Sequence, residues 1–520
     1  MQRSGMIEKI ENRNQPFDLI IIGGGATGIG ILLEAVTRGY SALLLEGSDF
    51  TKSTSSKSTK LVHGGVRYLA QGNIGLVREA SLERGYLQRN APHIVKNISF
   101  IIPVYSFFDE ILYTIGLKFY DLLAGRQSLG ASLRINKKKV ISSIPSINKE
   151  KLRAGILYHD GQFDDSRLAI ALLQTAVEKT GLALNYFRVN GLSKDKEGLL
   201  NGVKAFDEVQ KKSYSLYAKN IVNATGVFAD EIMEMDKPGH KKSIRPSQGI
   251  HVVVDKKFFP GEQALMIPKT DDGRVLFAVP WHKKIILGTT DTPVTEPSLE
   301  PEALEEEIDF ILRTAAQYLI NAPERKDVLS VFAGLRPLAE TGDSEKTKEI
   351  SRSHKIFVSN SGLLTIIGGK WTTYRKMAED LVNKIEKIQK LPPTRSITRK
   401  LKIKGYMEEV STNDPLHVYG SQIDIIEKIE KEPEGKGILS EKLTISVAQI
   451  IYAVRHEMAI KLEDVLARRT RALILDAEEA KRIAPSVAEI MAREAGHDKQ
   501  WVKNQLEEFY QLADKYIYRK

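Results

Sequence analysis

One stretch constrains the fold more than any other: FDLIIIGGGATGIGILLEAVTRGYSALLLE, residues 17–46. Its opening apolar run is short enough for a buried strand, GGGATG is a turn, GILLEAVTRGY has helical spacing, and SALLLE is a second buried strand. Two such runs around one helix make a βαβ unit, and therefore a parallel sheet. Gly23-x-Gly25-x-x-Gly28, with Thr27 inside it, sits where strand gives way to helix. The first glycine permits the tight turn, the second lets a pyrophosphate approach the backbone, and the third allows close helix–strand packing. The helix N-terminus offers free N–H groups and a partial positive charge to phosphates. Glu46 closes the second strand, 23 residues beyond Gly23, where its carboxylate can accept from ribose hydroxyls. Dinucleotide binding, rather than a bare structural turn, is the reading.

The chain has 520 residues, which implies two or three domains. Hydrophobic residues at 42% and charged residues at 27% describe a globular chain with material for a large core. Cysteine is absent, which excludes thiolate nucleophiles, zinc–thiolate sites and iron–sulfur ligation; no H-E-x-x-H spacing exists either, so no metal is expected. Lys and Arg exceed Asp and Glu by ten, which favours anionic partners such as phosphorylated metabolites or acidic lipid, and no nucleic-acid partner is expected. The longest stretch free of Asp, Glu, Lys and Arg, Leu19 to Leu33, is interrupted by glycines and shorter than the roughly 20 residues of a transmembrane helix. The polar N-terminus MQRSGMIEKIENRNQ carries no apolar h-region, so no secretory signal is read there.

Helical patterns recur at 75–91, 166–180, 301–320, 372–388, 444–458 and 476–518. A hairpin-like stretch spans 198–225, and short alternating strands fill 245–292, where antiparallel sheet is expected. The paired prolines of QKLPPTRS (389–396) mark a linker. Two later segments return to the nucleotide: IVNATGVFAD, a strand leading to Ala224 and Gly226, and TIIGGKWTTYRKMAED, a strand, Gly368-Gly369 and a helix. A nucleotide domain assembled from the chain's beginning, its middle and a late piece is a flavoprotein arrangement, so FAD is expected rather than NAD. The expected fold is α/β: a Rossmann-like FAD-binding domain of the glutathione-reductase/D-amino-acid-oxidase type, an inserted antiparallel-sheet substrate domain and a C-terminal helical domain. The FAD-binding domain takes 16–95, 151–240 and 346–390, the substrate domain 96–150 and 241–345, and the helical domain 397–520.

The runs TSSKSTKLVHGGVRYL (54–69), GLRPL (334–338), EISR (349–352), GGKWTTYRKMAE (368–379) and VLARRTRALILD (465–476) resemble the FAD-dependent glycerol-3-phosphate dehydrogenases across nearly the whole chain. Val227-Phe228 stands where that family more often has Pro-Trp, and Trp371 where leucine is common; both look like packing changes. The resemblance implies oxidation of sn-glycerol 3-phosphate to dihydroxyacetone phosphate, reduction of FAD, and delivery of electrons to quinone. It implies a peripheral location on the inner face of the cytoplasmic membrane, and admits a homodimer. The resemblance carries over Arg67, Tyr68, Arg336, Arg352 and Lys370 as substrate residues; an arginine's planar fork suits a phosphate dianion.

A secondary alcohol also needs a base. His251, on an inferred strand with apolar alternate residues, is favoured, with Lys370 and His63 as alternatives. His251, Arg336 and Lys370 form the candidate catalytic set. The hydroxyl-rich stretch of Thr54, Ser55, Ser58, Thr59 and Lys60 is expected to hold the ribityl and pyrophosphate groups. His63, Gly64 and Gly65 are expected beside the isoalloxazine, and Gly369 with Lys370 at its pyrimidine edge. Arg468, Arg469 and Arg471 are read as ion pairs inside the helical domain. The rival readings are a glycerol-3-phosphate oxidase delivering electrons to oxygen, an amine or amino-acid oxidase, and a binding module without turnover. The oxidase branch is longer through a later insertion, and an anaerobic multi-subunit form would need a cysteine-rich extension.

Overall fold

The computed structural model describes residues 1–65, 73–270, 273–339, 354–411 and 414–518. At its centre lies the strand Phe17–Ile22, paired in parallel with Ala42–Leu45 on one side and Lys212–Asn223 on the other. Leu182–Leu184 and Leu364–Ile367 extend this parallel sheet, and Lys355–Val358 adds an antiparallel edge. A sheet covered on both faces explains why its central strands are continuous apolar runs. The helix Ala26–Thr37 is buried at all but two of its 12 residues, packed between the helices Asp165–Glu178 and Tyr374–Ile388.

A second, ten-stranded sheet is built around the long antiparallel pair Ile244–Asp255 and Val328–Ala339. Here the fold departs from the sequence boundaries. Ala154–Phe163, assigned above to the nucleotide-binding part, pairs along its whole length with Val95–Val104 in the second sheet. Its antiparallel ladder outweighs its place in sequence, and the nucleotide-binding part resumes at the helix Asp165–Glu178. The second sheet is not wholly antiparallel either, because Ala264–Ile267 runs parallel to Val95–Val104.

The helices Val447–Glu457, Ala477–Ala495 and Lys499–Asp514 share a core of their own. The arginines between the first two of them form ion pairs inside that domain, Arg468 with Asp464 at 2.7 Å and Glu463 at 2.8 Å, but they also reach beyond it. Arg468 and Arg469 both reach Asp49, at 2.5 and 2.7 Å, and Arg471 reaches Asp165 at 2.8 Å. All are buried, so these pairs fasten the C-terminal domain to the nucleotide-binding part. The linker 389–396 is also pinned: Thr394 N donates to Glu386 and Ser396 Oγ to Glu34.

Among the helices that escaped the sequence reading, two stand out. Arg3–Glu11 buries Met6, Ile7 and Ile10 and anchors Arg3 on Asp207 at 2.7 Å. Phe107–Ala124 covers one face of the second sheet with Leu117, Tyr120 and Ala124 and leaves a broad apolar face uncovered. Among the described residues no helix is long and apolar enough to cross a membrane.

Candidate active site

The turn after the first strand opens a trough of about 480 Å³ lined by Gly23, Gly25, Thr27, Glu46, Thr54, Ser55, Ala224, Gly226, Gly369 and Lys370. Gly23 has φ +107°, and a Cβ there would meet the Ala224 carbonyl at 2.7 Å. Gly28 is not in the lining; a Cβ on it would drive into the Gly23 carbonyl, so it serves helix–strand packing. Glu46 ends the second strand with its carboxylate accepting from Gly24 N at 2.6 Å and Ser48 N at 2.8 Å. Burial pushes this carboxyl up despite those two amides. Ser55 Oγ accepts from Ala26 N at the first turn of the helix, 2.9 Å away. A glycine-floored turn, a helix N-terminus and an acidic strand end along one trough fit the pyrophosphate and ribose of FAD.

The trough runs into a second cavity of about 310 Å³, and Thr54, Pro337, Gly368, Gly369, Lys370 and Trp371 line both. His251, Arg336 and Lys370 converge here, from the strand Ile244–Asp255, its partner Val328–Ala339 and the turn before Tyr374–Ile388. His251 faces Gly288 across the sheet, and any side chain on Gly288 would occupy the imidazole's place. The ring stacks on Phe332 with centres 4.8 Å apart, and its Nε2 lies 2.9 Å from Thr59 Oγ1. Burial first, then the Lys60 and Arg336 charges, hold the imidazole well below its usual range, so it stands neutral and able to take a proton. The Arg336 guanidinium donates to Thr290 O at 2.9 Å and Gln248 O at 3.2 Å, and sits 3.3 Å from Asp291. These contacts fix its fork in the cavity wall.

His63 and Gly65 line the second cavity, and His63 N donates to Thr372 Oγ1, which ties that loop to the Lys370 turn. Three other expectations need correction. Gly64 lines neither cavity; its missing side chain makes room for the Tyr120 hydroxyl and Ser81. Lys60 is fully buried behind the site, held by Asp165 at 2.6 Å and the Ser56 carbonyl at 2.7 Å, which removes it from cofactor contact. Ser58 lines the second cavity, but its hydroxyl is committed to Asp165 at 2.6 Å. Arg67, Tyr68 and Arg352 lie outside the described residues.

The sequence reading missed Arg274, Thr289, Thr290 and Asp291, all in the lining, and it gave Thr59 to the ribityl and pyrophosphate groups rather than to His251. Thr59 belonged to the hydroxyl-rich run already singled out. The GTTDT segment, 288–292, offered a glycine-and-hydroxyl signal directly after a strand. Arg274 had no motif around it.

Residues 18–375 match the FAD dependent oxidoreductase family, and residues 361–502 match the C-terminal domain of alpha-glycerophosphate oxidase. A mitochondrial glycerol-3-phosphate dehydrogenase of Arabidopsis thaliana is 38% identical over 95% of this chain and 85% of its own. The mitochondrial enzyme of Bos taurus is 36% identical over 99% of this chain and 75% of its own. Among solved structures, the glycerol-3-phosphate dehydrogenase of Bacillus halodurans complexed with FAD superposes with a TM-score of 0.81 at 29% identity. That match covers 99% of this chain and 98% of the other.

Proposed function

The chain belongs to the FAD-dependent glycerol-3-phosphate dehydrogenases, and on that premise we propose how its residues divide the reaction and where the electrons go. The enzyme oxidises sn-glycerol 3-phosphate to dihydroxyacetone phosphate. FAD, when bound, supplies the acceptor for the hydride that leaves C2. The carrying observation is the convergence of His251, Arg336 and Lys370 in the cavity that continues the dinucleotide trough.

Arg336 holds the phosphate, because its fork is fixed by backbone carbonyls and donates in a plane that matches phosphate oxygens. His251 is the base, and the Thr59 hydroxyl, which lines the cavity and meets Nε2 at 2.9 Å, hands its own proton to Nε2 as it takes the one from the C2 hydroxyl. Lys370, at the junction of the two cavities, keeps a positive charge beside the alkoxide that develops. The apolar wall of Phe100, Tyr158, Met266 and Phe277 excludes water from the reacting end.

The electrons pass to a quinone in a lipid bilayer. The helix Phe107–Ala124 supports this reading. It exposes Phe108 at 74%, Ile115 at 65% and Leu122 at 73%, together with Phe107, Ile111, Leu112 and Phe119. Arg134 and Arg153 gather at Glu110 on its first turn, and the exposed Lys137, Lys138 and Lys139 follow Arg134 in sequence. An apolar helix face rimmed by cations suits an anionic lipid surface, which supports a peripheral membrane location; the inner face of the cytoplasmic membrane is the location we propose.

Anaerobic stopped-flow tests the whole reading. Glycerol 3-phosphate should bleach the bound flavin, and a quinone analogue should restore its colour much faster than oxygen does. Faster recovery with oxygen would make the protein an oxidase, and no bleaching would overturn the residue assignments.

A further inference from the structure

Away from that site, three parts of the chain enclose another cavity, of about 330 Å³. Its walls are the turn Trp281-His282-Lys283 of the substrate sheet, the start of the helix Asp165–Glu178, and the C-terminal domain around His417 and Lys442. We propose that this cavity binds a phosphate monoester that carries a free hydroxyl.

Charge is the first ground. Lys96, Lys256, Lys283 and Lys442 face the cavity together with three arginines, against the carboxylates of Asp164, Glu262 and Asp414. The arginines are engaged by Glu457, Asp49 and Asp165, while Lys256 and Lys442 pair with Glu262 and Asp476. Lys283 is exposed and, among the described residues, has no carboxylate partner. His282 and His417 stand with ring centres 6.4 Å apart in the cavity lining, and each carries ring nitrogens that can hydrogen-bond a ligand.

The second ground is a set of buried polar atoms without partners. Gln162 is 1% exposed; its amide nitrogen donates to Pro280 O at 2.7 Å, yet its Oε1 accepts nothing. Among the described residues the Nε atoms of Arg167 and Arg469 also lack acceptors. Leaving such groups unsatisfied in a buried setting is unfavourable. A ligand that both accepts and donates satisfies them: the phosphoryl oxygens meet the cations, and a carbon-borne hydroxyl meets Gln162. The cavity's volume falls at the small end of the range for metabolite sites, about 300–1,000 Å³.

The cavity also touches the catalytic end. Asp164 Oδ2 lies 3.4 Å from His282 Nε2, and its neighbour Asp165 holds Lys60. The Lys60 ammonium stands 5.3 Å from the Phe332 ring, on which His251 stacks.

The test uses full-length, FAD-loaded enzyme carrying Arg336→Ala, so that the catalytic cavity has lost its phosphate fork. Ribose 5-phosphate and ethyl phosphate are titrated against tryptophan fluorescence, since Trp281 forms one wall. Ribose 5-phosphate should bind saturably at one site per chain and more tightly than ethyl phosphate. Lys283→Glu should weaken it at least tenfold, and Gln162→Leu should erase the preference over ethyl phosphate. Because Gln162 is buried, His417→Gln provides a second, milder variant, expected to weaken both esters. A linear, unsaturable response, an affinity unchanged in Lys283→Glu, or equal binding of the two esters by the parent enzyme would overturn the proposal.

Discussion

Thr59 Oγ1 lies 2.9 Å from His251 Nε2, while the same imidazole lies flat on Phe332. One polar contact and one stacked ring thus hold a neutral base at a single angle in the cavity. Thr59→Val keeps the shape and removes the hydrogen bond, so we expect kcat to fall about tenfold with the flavin spectrum intact. His251→Ala should cost the full general-base contribution, about 10²–10⁴-fold. Thr59→Ser should restore most of the loss. A Thr59→Val enzyme with parental kcat would show that the threonine orients nothing.

Arg336→Ala removes the fixed phosphate fork without touching the dinucleotide turn. Truncating one partner of a buried, hydrogen-bonded charge pair costs roughly 2–5 kcal/mol, so kcat/KM should fall by at least about 30-fold. Arg336→Lys should recover little, since an ammonium cannot donate as a planar fork. Flavin content should be unchanged in both. Steady-state kinetics with glycerol 3-phosphate decide the matter, and an unaltered kcat/KM in Arg336→Ala would remove the phosphate assignment.

How far the sequence carried these assignments depended on the range of the signal. The dinucleotide trough was legible because local rules suffice for it: strand, glycine turn, helix and Glu46 lie within 30 contiguous residues. His251 was legible as a histidine on a strand, but Thr59, 192 residues away, reaches it only through the fold. Lys60 was misplaced for a related reason. Its neighbours in sequence are the site's hydroxyl residues, yet Asp165 draws its ammonium to the opposite side of the segment. The three arginines of 468–471 were recognised as ion-paired, and Arg468 does pair locally with Asp464, but Asp49 and Asp165 lie in distant segments that periodicity cannot link to them. The helix Phe107–Ala124 went unread because its apolar residues cover two faces, which blurs the single stripe an amphipathic pattern needs.

Asp49 takes both Arg468 and Arg469, at 2.5 and 2.7 Å, in a fully buried setting. Burial alone would raise its carboxyl, but the two guanidinium groups hold it far below the usual carboxylate range. Asp49→Ala leaves two buried arginines short of a counter-charge. The expected cost is about 3–5 kcal/mol, visible as a clear drop in Tm. Asp49→Asn should destabilise less, because it keeps one acceptor. If calorimetry finds Asp49→Ala as stable as the parent, the C-terminal domain is fastened by other contacts.

Buried histidines give a pH dependence with a definite sign. His93 is 2% exposed, and burial lowers its imidazole to about 4. The unfolded chain therefore binds a proton that the folded one refuses between about pH 6.5 and 4, so stability is complete above 6.5 and drains away as the pH falls. For His93 alone the loss approaches about 3 kcal/mol. Burial lowers His417, His456 and His251 in the same direction. Tm should therefore decline from pH 7 to pH 4.5, and His93→Gln should flatten part of that decline. A profile that is level across this interval would mean these imidazoles charge without penalty in the fold.

The face formed by Phe107, Phe108, Ile111, Leu112, Ile115, Phe119 and Leu122 should carry the enzyme onto lipid. Fully burying such a side chain gains about 1.5–3 kcal/mol, so a few of them outweigh the loss of free motion on a surface. The neighbouring cations add an attraction that salt screens within about 10 Å at 0.1 M. Flotation with vesicles containing phosphatidylglycerol should thus capture the enzyme, more weakly on neutral vesicles or in high salt. Phe108→Asp with Ile115→Asp should reduce capture at least tenfold. Both residues are exposed, so Tm and flavin reduction by glycerol 3-phosphate in solution should hold, while turnover with a quinone embedded in the vesicles should collapse. Equal capture of the double variant and the parent would assign the membrane contact to another surface. Loss of capture with undiminished turnover on vesicle-embedded quinone would separate electron delivery from this helix.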